Sequence, residues 1–178
     1  MKKSNKQNFE IKAIEGGSIS FYASAFGVVD SHKDITHKGT FIHTIEEFNA
    51  GNVSVDLRLE HKSTFKTVGS IIEMEIDEVG LICKAIFHDN PIGRKVHKIA
   101  KEAFETKSEE ILFSIGFVTL EESDIEVKGE KVRSIDSLLL GEVSIVEKPS
   151  NKEAKVIEVK NEVKGSNLRA ILIQELNN

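Results

Sequence analysis

The chain has one cysteine, two prolines, one tyrosine and no tryptophan in 178 residues. A single thiol excludes an internal disulfide and any zinc site built from several cysteines. Cys83 lies in the apolar run Leu81-Ile82-Cys83, which predicts a buried, inert side chain. No cationic excess is present either: 24 Lys and Arg stand against 29 Asp and Glu, a net charge of −5. A general nucleic-acid binder needs a positive surface to displace counterions from phosphates, so no nucleic-acid partner is expected. Nothing approaches the ~18 consecutive apolar residues of a membrane span, so no membrane partner is expected. The lysine-rich start, Met1 to Asn8, has no apolar stretch behind it and reads as a flexible tail, not a signal peptide. A soluble, intracellular protein is the expectation.

What is present is a globular composition, 39% hydrophobic and 30% charged, of one-domain size. Such a chain buries roughly 70% of its unfolded surface and needs no metal or disulfide for stability. Ile19 to Val29 is strand-like. Thr40 is placed to cap a short helix carrying Phe41, Ile45 and Phe48, stopped by Gly51. Val53, Val55, Leu57, Leu59 and His61 alternate with polar residues, the pattern of a strand with one buried face that His61 closes. Val68–Ile76 and Gly80–Phe87 read as a hairpin. Asn90-Pro91 opens a second helix with Ile92, Val96, Ile99, Ala100, Ala103 and Phe104 along one side. Ile111–Leu120 reads as a strand buried on both faces, Ile125–Ile135 as a hairpin around Lys128-Gly129, and Leu138–Val146 as another apolar strand. Six or seven strands with two helices predict a mainly antiparallel sheet or barrel with helices packed outside.

Three polar residues stand where this pattern calls for apolar ones: His61, Ser114 and Glu142. A buried carboxylate without a partner costs several kcal/mol or takes up a proton, and a histidine is its natural partner. A serine hydroxyl becomes a nucleophile when an imidazole takes its proton, and a carboxylate on the far ring nitrogen fixes the tautomer. Packing roles for the serine, an edge role for the histidine, and pairing of Glu142 with Arg58 or Arg133 are the plainer alternatives. Ser144 shares a strand face with Glu142 and is expected to hydrogen-bond near it.

At these residues the sequence resembles the prohead proteases of tailed phages. Four segments carry the likeness: Gly27-Val28-Val29-Asp30 through Asp34 to Gly39-Thr40-Phe41; Leu57-Arg58-Leu59-Glu60-His61 with Val68-Gly69; Phe113-Ser114-Ile115-Gly116-Phe117; and Leu140-Gly141-Glu142-Val143-Ser144-Ile145-Val146 with Pro149-Ser150-Asn151. The resemblance implies a serine endopeptidase of virion maturation that cleaves scaffold, the scaffolding segment of the major capsid protein, or itself. It implies Ser114 as nucleophile, His61 as general base and Glu142 as the group orienting the histidine. It further implies a small antiparallel β-barrel ringed by helices, α+β but mainly β, as in the related herpesvirus assembly proteases. A homodimer or higher oligomer, the major capsid and scaffold proteins as partners, no cofactor, and a place in the host cytoplasm inside the prohead follow from the same likeness.

The expected plan is a tail over 1–8, a protease domain over 9–157 and a C-terminal segment over 158–178 that binds scaffold or is self-cleaved, with an amphipathic helix from Ser166 to Leu176. Two readings compete. Asp30, His32, Asp34 and His37 have metal-ligand chemistry, but their spacing matches no standard site and a polar turn with capping roles is the plainer reading, so no metal is expected. A catalytically inactive assembly module of the same fold is the non-enzymatic alternative. His43, His88 and His97 are expected at the surface.

Overall fold

The computed structural model describes residues 17–62 and 67–160. The tail over 1–8 and the helix expected from Ser166 to Leu176 lie outside the described residues. Eight strands and two helices follow in the order β1 (Ser18–Ala25), β2 (Asp34–Thr36), α1 (Ile42–Ala50), β3 (Asp56–Leu59), β4 (Thr67–Ile76), β5 (Gly80–Phe87), α2 (Pro91–Thr106), β6 (Leu112–Val127), β7 (Glu130–Val146) and β8 (Val156–Lys160).

All eight strands belong to one sheet in the order β2-β7-β3-β4-β5-β1-β8, with β6 on the other edge of β7. The sheet curls into a half-barrel. The chain leading into β8 comes round to β6, where Leu112 and Lys155 form an antiparallel bridge and Phe113 N–H donates to Ala154 O at 2.9 Å. The mainly-β expectation holds, with one refinement: β2 and β3 both run parallel to β7, while the remaining pairings are antiparallel.

The interior is apolar and close-packed. Phe21 on β1 stacks on Phe113 on β6 with centroids 3.8 Å apart, and both are fully buried. Between the stretches paired with β2 and β3, one edge of β7 has no strand neighbour. The start of α1 fills this gap with side chains: Thr44 Oγ1 donates to Leu138 O (2.8 Å) and accepts from Leu140 N–H (3.0 Å). Thr40 Oγ1 donates to Ile135 O at 2.6 Å. Backbone groups that would otherwise be buried without partners are thereby satisfied. Thr40 is therefore no helix cap; Phe41 occupies that position without a side-chain bond, while Gly51 ends the helix in the left-handed region as expected.

Other expectations are met or shifted for visible reasons. The β4–β5 turn is held by Asp77 Oδ1, which accepts from Val79 and Gly80 N–H. Asn90 caps α2 by accepting from Gly93 N–H at 2.8 Å, with Pro91 in the first turn. Ile92 and Ile99 face outward from α2, so its packed stripe is narrower than the pattern suggested. The strand expected to be buried on both faces is the start of β6, but only its first residues are enclosed. Val118 and Leu120 are 64% and 47% exposed, because beyond the body of the sheet β6 is paired only with β7. β8, which the charged sequence concealed, pairs with β1 and carries the sheet to Lys160, past the boundary expected at 157. Cys83 is fully buried, and burial pushes its thiol pKa up.

Candidate functional site

Strand register builds the site. In β7, Glu142 and Ser144 lie opposite Gly116 and Ser114 of β6 on one side, and opposite Asp56 and Arg58 of β3 on the other. Paired residues share a face of the sheet, so these six side-chain positions form two adjoining rows, with Val143 and Leu57 turned into the core. Phe113, anchored on Phe21, fixes β6 beside Ser114, and alternation sends the serine to the opposite face from the phenylalanine. Gly116 is required here, because a Cβ at that position would collide with the Glu142 carboxylate.

His61 departs from expectation. β3 ends at Leu59, and His61 does not close its buried face; it stands on the following turn with its side chain 43% exposed. Glu60 and His61 have φ values of 52° and 53°, a left-handed pair without glycine. The turn is closed by Lys62 N–H donating to Leu59 O at 3.1 Å, the arrangement of a type I′ turn, which ordinarily favours Asn and Gly. Each such residue costs roughly 1–2 kcal/mol for a side chain bearing a Cβ. Bonds to β7 and the chain just beyond it hold the turn in place: Glu60 N–H to Ile145 O (3.0 Å), His61 N–H to Ser144 Oγ (3.0 Å) and Glu147 N–H to Glu60 Oε1 (2.8 Å).

The turn delivers the imidazole to the carboxylate. His61 Nδ1 lies 2.5 Å from Glu142 Oε1, and Ser144 Oγ donates to Glu142 Oε2 at 2.6 Å. The Glu142 side chain is 10% exposed, so both carboxylate oxygens are bonded in a largely water-free position. An ionised carboxylate only accepts, so Nδ1 carries the proton and Nε2 is the basic nitrogen. Ser114 and His61 both line a cleft of about 340 Å³ whose far wall includes Asp30, Asp34, Arg133 and Asn151. Among the described residues Ser114 Oγ makes no hydrogen bond; it is 5% exposed and faces this cleft.

The alternatives to that cluster are accounted for by other partners. Arg58 bonds Asp56, and Arg133 makes a two-pronged pair with Asp34 at 2.7 and 2.6 Å, which raises the guanidinium's pKa; neither is the partner of Glu142. In the Asp30–His37 stretch, Asp30 Oδ1 accepts from the backbone N–H groups of His32 and Asp34, and His37 lies 3.3 Å from Asp136. A hydrogen bond from Ser134 leads the causes holding the Asp136 carboxyl below its usual range. These are the contacts of a polar turn. His88 is not a surface residue: it is half-buried, its Nε2 lies 3.0 Å from Ser70 Oγ, and burial lowers its pKa. His97 is stacked on Phe87, whereas His43 is exposed as expected. Gly116, two residues after Ser114, reads from sequence as room for substrate or backbone to approach closely; in the structure the Glu142 carboxylate occupies that room.

A hydroxyl and an imidazole lining one cleft, with a buried carboxylate bonded to the imidazole, are the equipment of a serine hydrolase. The chain belongs to the caudovirus prohead serine protease family, which it matches over residues 7–168. It is thus a serine protease of phage capsid maturation, a role tied to capsid proteins and to the procapsid within the host. Among solved structures it is similar to KSHV protease in complex with a hexapeptide phosphonate inhibitor, at 9% identity and a TM-score of 0.45, over 91% of this chain and 76% of that one. It is also similar to varicella-zoster virus protease, at 13% identity and a TM-score of 0.44, over 92% and 76%. No curated protein matches the chain significantly.

Proposed function

We propose that this protease cleaves scaffold, or the scaffolding segment of the major capsid protein, within the assembling prohead, and that Ser114, His61 and Glu142 perform the reaction. The observation that carries the reading is the His61–Glu142 contact at 2.5 Å, made by an imidazole that lines the same cleft as Ser114. With Nδ1–H committed to Glu142, Nε2 takes the Ser114 proton as Oγ attacks the substrate carbonyl carbon. The resulting imidazolium then gives that proton to the leaving amine as the C–N bond breaks, leaving an acyl-enzyme. Water enters, loses a proton to Nε2, and attacks the ester carbonyl. The serine regains its proton and the acid product departs. Glu142 stays ionised throughout and stabilises the imidazolium. His61 is the exposed member, on a turn, while Ser114 and Glu142 are held in the sheet.

The test is to co-express the wild type or Ser114→Ala with the neighbouring capsid and scaffold genes and to read intact masses. Trimmed capsid or scaffold protein, or a shortened protease, with wild type alone supports the reading. Uncut, assembled shells in both strains would favour an inactive assembly module. Equal cutting in both would remove Ser114 from the role.

A further inference from the structure

The geometry points to Ser144 as the positioning residue of the site, one hydroxyl that fixes both the carboxylate and the turn bearing the base. The inference rests on the reading of Ser114, His61 and Glu142 given above. Ser144 is fully buried, so it does not meet substrate. Its Oγ proton goes to Glu142 Oε2 at 2.6 Å, and its lone pair accepts from the backbone N–H of His61 at 3.0 Å. Those two bonds act on different parts of the machinery. The first sets the rotation of the carboxylate about its last bond, leaving Oε1 directed at His61 Nδ1. The second satisfies an N–H in the middle of a turn that two residues with positive φ make costly, and so ties the backbone of the base to the strand that carries the carboxylate. Since its only proton is committed to Glu142, Ser144 is also unsuited to act as a nucleophile.

Register makes the arrangement specific. Ser144 lies opposite Ser114 on β6 and opposite Arg58 on β3, and Glu142 is two residues away on the same face. A hydrophobic residue of similar size would fill the position but make neither bond. Side-chain packing alone therefore does not account for a serine here.

The experiment measures the rate at which a fluorophosphonate labels Ser114, separated into the maximal rate and the half-saturating concentration, in the full chain. Wild type, Ser144→Ala, Glu142→Gln and the double variant are compared, with thermal unfolding as a fold check. The expected result is that Ser144→Ala lowers the maximal rate roughly 10- to 100-fold with half-saturation unchanged, the scale of a lost hydrogen bond to a charged group. The double variant is expected to be slowed by clearly less than the product of the two single penalties, because the share of the Ser144 effect that runs through the carboxylate is already lost in Glu142→Gln and only the bond to the His61 N–H remains to be removed. A full-rate Ser144→Ala, or a penalty that adds undiminished to that of Glu142→Gln, overturns the inference and leaves the reading of the site intact. A full-rate Glu142→Gln overturns the reading and the inference with it. Should Ser144→Ala not fold, Ser144→Cys keeps the volume with a much weaker donor and carries the same comparison.

Discussion

Among the described residues, Ser70 with His88 and Ser114 with His61 invite comparison, and they differ in ways that bear on the site. Ser70 and His88 are in hydrogen-bond contact at 3.0 Å, whereas no bond joins Ser114 to His61 among the described residues. Judged on that contact alone, Ser70 and His88 would be chosen. The carboxylate whose charge acts on His88 is that of Asp56, which is also engaged by Arg58 at 2.8 and 3.1 Å. Neither Ser70 nor His88 lines the cleft that holds Ser114 and His61. Asp56 faces Ser70 on one side and Glu142 on the other, so the two clusters share a row of the sheet and differ in access and in what orients the imidazole. A proteolytic pair needs a base with a free nitrogen, a carboxylate behind it and room for a peptide.

The sharpest way to break this comparison is to exchange the two serines' fates. Ser114→Ala and His61→Ala are each expected to lower turnover on the order of 10⁴-fold or more. Ser70→Ala and His88→Gln are expected to keep turnover near wild type, measured as release of cleaved scaffold per unit of folded enzyme. Glu142→Gln is next, at roughly 10³- to 10⁴-fold, since the amide can hold the wrong tautomer. Gly116→Ala is smaller, roughly 10- to 100-fold, because its methyl group displaces the carboxylate without removing it; circular dichroism should show the fold unchanged.

The smallest effect belongs to the other pair and appears in stability. Burial lowers the pKa of His88 from its ordinary 6.5, so the unfolded chain binds this proton more readily than the folded one. The stability this histidine confers by remaining neutral is complete above about pH 6.5 and is lost as the pH falls below it towards the depressed folded value. Thermal unfolding between pH 7.5 and 5 should therefore show a loss on acidification that His88→Gln reduces, with turnover at neutral pH unaffected.

Much of the candidate site was legible for a simple reason. A serine in Phe113-Ser114-Ile115 and a glutamate in Gly141-Glu142-Val143 interrupt apolar strands, and a polar group in such a place must find partners. The β4–β5 turn and the Asn90 cap were legible because their bonds are local. The placement of His61 was not: alternation from Val53 continues through it, and nothing in a period of two marks where the strand gives way to a left-handed turn. The exposed half of β6 was hidden likewise, since Val118 and Leu120 look like core residues until one sees that no third strand lies beside them. Thr40 and Thr44 bond to β7 rather than to their own helix, a long-range choice that local capping rules do not contain. Ser144 was legible in part: its place on the strand face of Glu142 marked it as a hydrogen-bonding neighbour of the carboxylate, whereas its second partner, a backbone N–H more than 80 residues away, left no mark in the sequence.

The central claim is that Ser114, and no other serine, is the nucleophile. Treating the folded protein with a fluorophosphonate and mapping the adduct by peptide mass spectrometry tests it directly. The account predicts a single adduct on Ser114, absent from Ser114→Ala and strongly slowed in Glu142→Gln. An adduct on Ser70 or Ser144, or undiminished labelling of Ser114 when Glu142 is changed, would contradict it.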